Sequence, residues 1–191
     1  MNTPSASFAE TQLSADNTNK LLKYVVLVVL GTLVMTVAAK INVPFYPVPM
    51  NLQTLALFAI AAAFGRKLAV ATILLYLAEG FMHIPVFTKE VAGPGYFVGP
   101  TGGYLVGFAI AAFIVGWAAD KGWSKNPFKM FGAMLVADVV IFALGFAWLA
   151  TLIGPEKAFM FGVQPFVIPD LVKIALASSL VAALWQVFRK A

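Results

Sequence analysis

Asp170 and Lys173 stand three residues apart behind Pro169, at the start of the last long apolar run of the chain. Proline suits the first turn of a helix. Residues i and i+3 share a helix face, so the spacing predicts a carboxylate and an ammonium pointing the same way. One acceptor beside one donor matches a cyclic amide or urea, whose N–H needs an acceptor and whose C=O needs a donor. The same two residues can instead form an internal ion pair that fixes helix packing, a weak source of stability because desolvation offsets attraction. An aspartate in a first turn complements the helix dipole and a lysine opposes it. Lys173 therefore needs either Asp170 or a ligand as its partner.

Other polar residues in apolar surroundings are functional candidates for the same reason. In Gly99-Pro100-Thr101-Gly102-Gly103-Tyr104, Thr101 is expected to cap a helix, while Gly102 and Gly103 let a neighbour or a ligand reach its backbone. A helix N-terminus suits a carboxylate; the plainer alternative is a tight turn with close helix packing. The stretch lacks the Lys-Ser or Lys-Thr ending of a nucleotide phosphate loop. Gln53 can bond a ligand or a neighbouring helix. Phe45 and Tyr46, in a proline-rich stretch, either wall an apolar ligand or belong to a rigid connection. Asp138 has two readings, a polar contact to another helix or proton coupling. Glu79 and His83, four apart, are expected to pair with each other. Trp117, Trp123, Trp148 and Trp185 fall near the ends of apolar runs, as an aromatic belt does. Trp148 is also a candidate pocket wall.

The composition limits what can position these groups. Of 191 residues, 61% are hydrophobic and 11% charged, against about 25% charged in a soluble domain. That predicts an all-α integral membrane protein. There is no cysteine and one histidine, which excludes disulfides and thiol chemistry and leaves little for a metal centre, so no metal is expected. No nucleophile elbow, zinc motif or paired-carboxylate motif supports an enzyme. Apolar runs cover about 22–40, 49–64, 67–82, 102–119, 128–152 and 169–188, and predict six transmembrane helices. The second and third are short. Gly65-Arg66-Lys67 separates them, and a single long helix would bury both cations, so a tight turn is expected there. With both termini cytoplasmic, the cytoplasmic segments hold nine of the 13 basic residues and the outer segments four. The net charge of +5 thus reads as a topology signal, with no nucleic acid implied. Residues 1–20 are expected to be a disordered cytoplasmic tail and 21–191 one transmembrane domain. Val37-Ala38-Ala39 is similar to a signal-peptidase site, but the run before it is long for a signal peptide, and a retained first span is favoured. The outer segments, 42–50 and about 83–101 and 153–168, are rich in Gly, Pro and aromatics, and are expected to form a lid or wall above Asp170 and Lys173.

Three stretches together resemble the BioY family. They are Val43-Pro44-Phe45-Tyr46-Pro47-Val48-Pro49-Met50 with Leu52-Gln53-Thr54-Leu55, then Gly99 to Leu105 with Gly107, and Pro169-Asp170-x-x-Lys173. This family comprises the biotin-specific substrate-binding S components of energy-coupling-factor (ECF) transporters. The resemblance covers roughly residues 25–188. It implies a six-helix S-component bundle with both termini cytoplasmic, in the bacterial cytoplasmic membrane. It also implies high-affinity biotin binding and uptake, with biotin as transported substrate and no cofactor. The family's Asp-x-x-Lys pair, associated with the urea of biotin, falls on Asp170 and Lys173. Thr101, Gly102 and Tyr104 are expected at the biotin carboxylate, with Lys89 as charge partner; Gln53, Phe45, Phe87 and Trp148 complete the expected pocket. The implied partners are a transmembrane coupling protein and two cytoplasmic ATPases. S components of this kind dock through small residues on the first helix. Here Met35 interrupts that pattern after Gly31, and Ala38 and Ala39 are the expected substitute patch. The alternatives are a solitary biotin carrier that works without ATPases and a transporter of another small vitamin.

Overall fold

A computed structural model describes residues 17–44, 46–88 and 92–190 of the chain. The elements run α1 (Asn17–Lys40), β1 (Asn42–Val43), β2 (Met50–Asn51), α2 (Gln53–Phe81) and α3 (Pro94–Phe97). They continue with α4 (Gly102–Asp120), a 3-10 turn (Trp123–Lys125), α5 (Pro127–Ile153), α6 (Pro155–Gly162) and α7 (Val167–Lys190). Among the described residues, five helices are long and apolar enough to cross a membrane: α1, α2, α4, α5 and α7. Among the described residues the secondary structure is helical apart from one small antiparallel hairpin, in which Asn42 faces Asn51 and Val43 faces Met50.

The longest helix is not straight. A continuous helix would set Gln53 and Tyr76 roughly 35 Å apart, yet Gln53 Nε2 donates to the Tyr76 hydroxyl at 2.7 Å. The chain doubles back at Gly65, whose φ of 76° lies in the left-handed region that glycine adopts without a Cβ clash. Arms 53–64 and 66–81 therefore lie side by side. Gly116 of α4 accommodates the turn: a Cβ there would stand 2.5 Å from Arg66 Cα. The Asp120 carboxylate accepts from Arg66 N at 3.3 Å, and Ser124 Oγ donates to the Ala62 carbonyl at 2.8 Å. The expected reversal at Gly65-Arg66-Lys67 is held in this way by backbone as well as by charge.

Glycines also draw α4 and α5 together, as small residues do between apolar helices. A Cβ on Gly107 would lie 2.8 Å from Ile141 Cα, and one on Gly103 would strike the Leu144 carbonyl. The Tyr104 ring rests against Gly145, and its hydroxyl donates to the Gly162 carbonyl at 2.8 Å, so one side chain joins α4, α5 and α6. At the start of α5, Asn126 caps the helix by accepting from Phe128 N and Lys129 N, with Pro127 in the first turn.

Helix α1 is the least enclosed long element. Val26, Leu30, Leu33 and Val37 are exposed, whereas Met35 and Ala39 are fully buried and Ala38 nearly so. Gly31 packs against Thr72 and Phe64 of α2. The small residues expected to form a docking patch thus face the bundle, because close packing on α2 uses them. Glu79 does not turn to His83: its Oε1 accepts from Thr32 Oγ1 of α1 at 3.0 Å. The segment 153–168, read as a loop, contains α6, which starts at Pro155 after the positive-φ Gly154.

Candidate functional site

A cavity opens where the first residues of α2, α4 and α7 converge. Its volume is about 60 Å³. Asp170 and Lys173 line it, 3% and 9% exposed. Lys173 Nζ donates to Asp170 Oδ1 at 2.6 Å. Thr54, from the first turn of α2, completes the cluster: its hydroxyl donates to Asp170 Oδ1 and accepts from Lys173 Nζ, both at 3.2 Å. All three contacts thus use one carboxylate oxygen. Asp170 Oδ2 and the third ammonium hydrogen have no partner among the described residues. The two sequence readings of the pair are compatible here, since an ion pair forms and still has an acceptor and a donor to spare.

A second polar cluster is neutral. Asn51 Nδ2 donates to Gln53 Oε1 at 2.5 Å and to Thr88 Oγ1 at 2.8 Å. Gln53 Nε2 donates to Tyr76, whose hydroxyl donates in turn to the Val86 carbonyl at 3.0 Å. Tyr96 joins through Thr88 and Thr101; burial pushes its hydroxyl above the usual tyrosine range, and those two hydrogen bonds only partly offset this. It therefore stays protonated at neutral pH. Between the clusters the walls are apolar. Phe87 stacks on Tyr96 with ring centres 4.5 Å apart and meets Tyr76 edge-on at 5.4 Å. Phe108, Ile141, Phe142 and Phe166 close the other side. Lys40, the last residue of α1, donates to the Phe87 carbonyl at 2.7 Å and fixes the segment that carries this ring.

The structure brings Asp170, Lys173, Gln53, Phe87, Thr101 and Tyr104 to one cavity. Phe45 and Lys89 lie outside the described residues. Two expected residues stand elsewhere. The Gly102 backbone is packed against the Phe97 carbonyl, so a neighbour and not a ligand takes the space its missing side chain leaves. Trp148 is not among the lining residues; its Nε1 donates to the Gly99 carbonyl at 2.8 Å and ties α5 to the turn before α4. Thr101 makes no capping bond to α4, because it has helical backbone angles and its hydroxyl turns to Tyr96. Sequence reasoning passed over Thr54, Asn51, Thr88 and Tyr96. Thr54 follows Gln53 directly and Asn51 precedes it by two, so the polar interruption of that apolar run was the available signal. Among the described residues, no group of three or more His, Asp or Glu is placed to hold a metal ion.

The profile of the BioY family matches residues 9–190. The chain belongs to the BioY family. Similar relatives include a protein of Pyrococcus horikoshii named "Probable biotin transporter BioY", 39% identical over 155 residues that make up 81% of this chain and 91% of that protein. Another is "Biotin transporter BioY" of Thermotoga maritima, 38% identical over 149 residues, 77% of this chain and 86% of that one. Among solved structures, the fold is shared with the S-component for biotin from an ECF-type ABC transporter. There the TM-score is 0.79 at 22% identity, covering 90% of this BioY chain and 95% of that chain.

Proposed function

We propose that this BioY protein captures biotin and carries it across the cytoplasmic membrane as the substrate-binding subunit of an ECF-type transporter. The observation that carries this reading is the Asp170–Lys173–Thr54 cluster in the cavity wall. Its free carboxylate oxygen accepts one ureido N–H, and its free ammonium hydrogen meets the ureido carbonyl. The fused rings lie between Phe87 and the Phe108–Phe142–Phe166 side, apolar walls that suit a thioether ring. The carboxylate of the side chain points to Thr101, Tyr104 and the neutral cluster. The names of the BioY relatives support the same substrate.

The two arms of α2 count as separate crossings, giving six with α1, α4, α5 and α7. An even number puts both termini on one side, and the excess of basic residues makes that side cytoplasmic. The cavity then faces outward. Gly65 and the Arg66–Asp120 pair lie at the cytoplasmic end. The chain has no nucleotide motif, so a transmembrane coupling protein and two ATPases supply the energy. Titration calorimetry on the purified protein tests the substrate. Biotin binds, desthiobiotin competes because it keeps the urea, and thiamine and riboflavin do not. Failure to bind biotin, or displacement of biotin by riboflavin or thiamine, would sink the assignment.

A further inference from the structure

The end of the bundle opposite the cavity concentrates positive charge. The turn at Gly65 brings Arg66 and Lys67 there, and the connection from α4 to α5 brings Lys121, Lys125 and Lys129. Two bonds hold these stretches together: Arg66 N donates to the Asp120 carboxylate at 3.3 Å, and Ser124 Oγ to the Ala62 carbonyl at 2.8 Å. Five cations thus meet one acid. That acid is engaged by Arg66, through its backbone N–H and, at 3.9 Å, through Nε. Lys67, Lys121, Lys125 and Lys129 are exposed, and none of them forms an ion pair among the described residues.

Aromatic rings are interleaved with these cations. Lys121 Nζ lies 5.7 Å from the centre of the Trp117 ring, and Lys125 Nζ 5.1 Å from that of Trp185. Arg66 stands over Phe113 at 5.6 Å, and Trp117 meets Trp123 edge-on at 6.0 Å. Phe128, between Pro127 and Lys129 in the first turn of α5, is 86% exposed. A merely solvated basic face needs no rings beside its charges; here three of the five cations stand over one. Rings and lysines at the ends of membrane-crossing helices belong to the headgroup level, where the ring body meets lipid and the ammonium reaches upward.

We propose that this end is a binding surface for anionic phospholipid headgroups: Lys121, Lys125 and Lys129 take the phosphate, and Trp117 and Phe128 sit at the acyl boundary beside it. The complementarity is of charge and of depth together. A phosphodiester accepts from ammonium donors, and each lysine near an anionic membrane surface favours it by about fivefold. A zwitterionic lipid carries its own ammonium, which cancels that attraction. The surface is independent of the biotin reading and requires only that the chain spans a membrane.

The test uses the full chain reconstituted in phosphatidylcholine vesicles, with brominated phosphatidylglycerol or brominated phosphatidylcholine as the quencher of tryptophan fluorescence. Three of the four tryptophans, Trp117, Trp123 and Trp185, lie at this end. The wild type is expected to prefer the anionic lipid by about fivefold or more, the weight of one effective lysine. Raising NaCl from about 0.05 M to about 0.5 M is expected to cut that preference towards parity. Joint substitution Lys121→Gln, Lys125→Gln and Lys129→Gln is expected to remove it, whereas Lys157→Gln, on α6 at the other end, leaves it unchanged. The salt series on the wild type decides the matter even where the triple variant fails to fold. Equal quenching by the two lipids, a preference insensitive to salt, one that survives the triple substitution, or one lost equally in Lys157→Gln would overturn the proposal. Equal quenching would leave the lysines to an acidic protein partner instead.

Discussion

The two polar clusters of the cavity are built in opposite ways. Asp170 and Lys173, from the first two turns of α7, are charged, and with Thr54 from the first turn of α2 they bond one another alone. Asn51, Gln53, Thr88 and Tyr76 are neutral, span the hairpin, both arms of α2 and the segment after it, and relay their bonds to the Val86 carbonyl. Loss of a member of the first cluster leaves a buried charge uncompensated. Loss of a member of the second leaves an amide or hydroxyl short of one bond, a smaller penalty. The helix-borne cluster therefore has more to lose from a single substitution. The neutral one sets where the Phe87 segment lies.

That contrast can be broken by substitution. The largest effect is expected for Asp170→Asn, which strands the Lys173 ammonium at a cost of about 3–5 kcal/mol. Biotin affinity falls by about a hundredfold or more, while the variant stays folded in detergent by size-exclusion chromatography. An unchanged Kd would remove the pair from the site. Next comes Thr54→Val, which keeps the shape but takes one hydroxyl from both charges. A loss of about 1.5–3 kcal/mol is expected, read as a Kd raised at least about tenfold. A smaller effect follows from Gln53→Ala, about 0.5–1.5 kcal/mol for a neutral bond. Its mark is faster proteolysis of the segment around Phe87, and a cleavage rate equal to the wild type would separate the neutral cluster from loop position. The smallest change in affinity belongs to Trp148→Phe. It breaks the bond to Gly99 and lowers Tm, but is expected to shift biotin Kd less than about threefold; a large affinity loss would return Trp148 to the pocket wall.

What could be read from the sequence depended on range. The i, i+3 spacing of Asp170 and Lys173 is local, so their shared face was visible. The reversal at Gly65 was visible because two cations in the middle of a long apolar helix are costly. Thr54 was not, since it meets Asp170 across 116 positions and one threonine in an apolar run has no period of its own. Gly102 and Trp148 show a different limit. Their types predict close approach and an anchored indole, but only the fold says that the Phe97 and Gly99 carbonyls are what they meet. The α1 face failed for a related reason, because small residues serve packing inward as well as docking outward.

The reversal at Gly65 also sets the reach of the site. The first arm of α2, residues 53–64, is about 18 Å long. Thr54, near its tip, and the two charges it holds are buried. A ligand that reaches them must shed its water, and dissolved salt has little access to such a place.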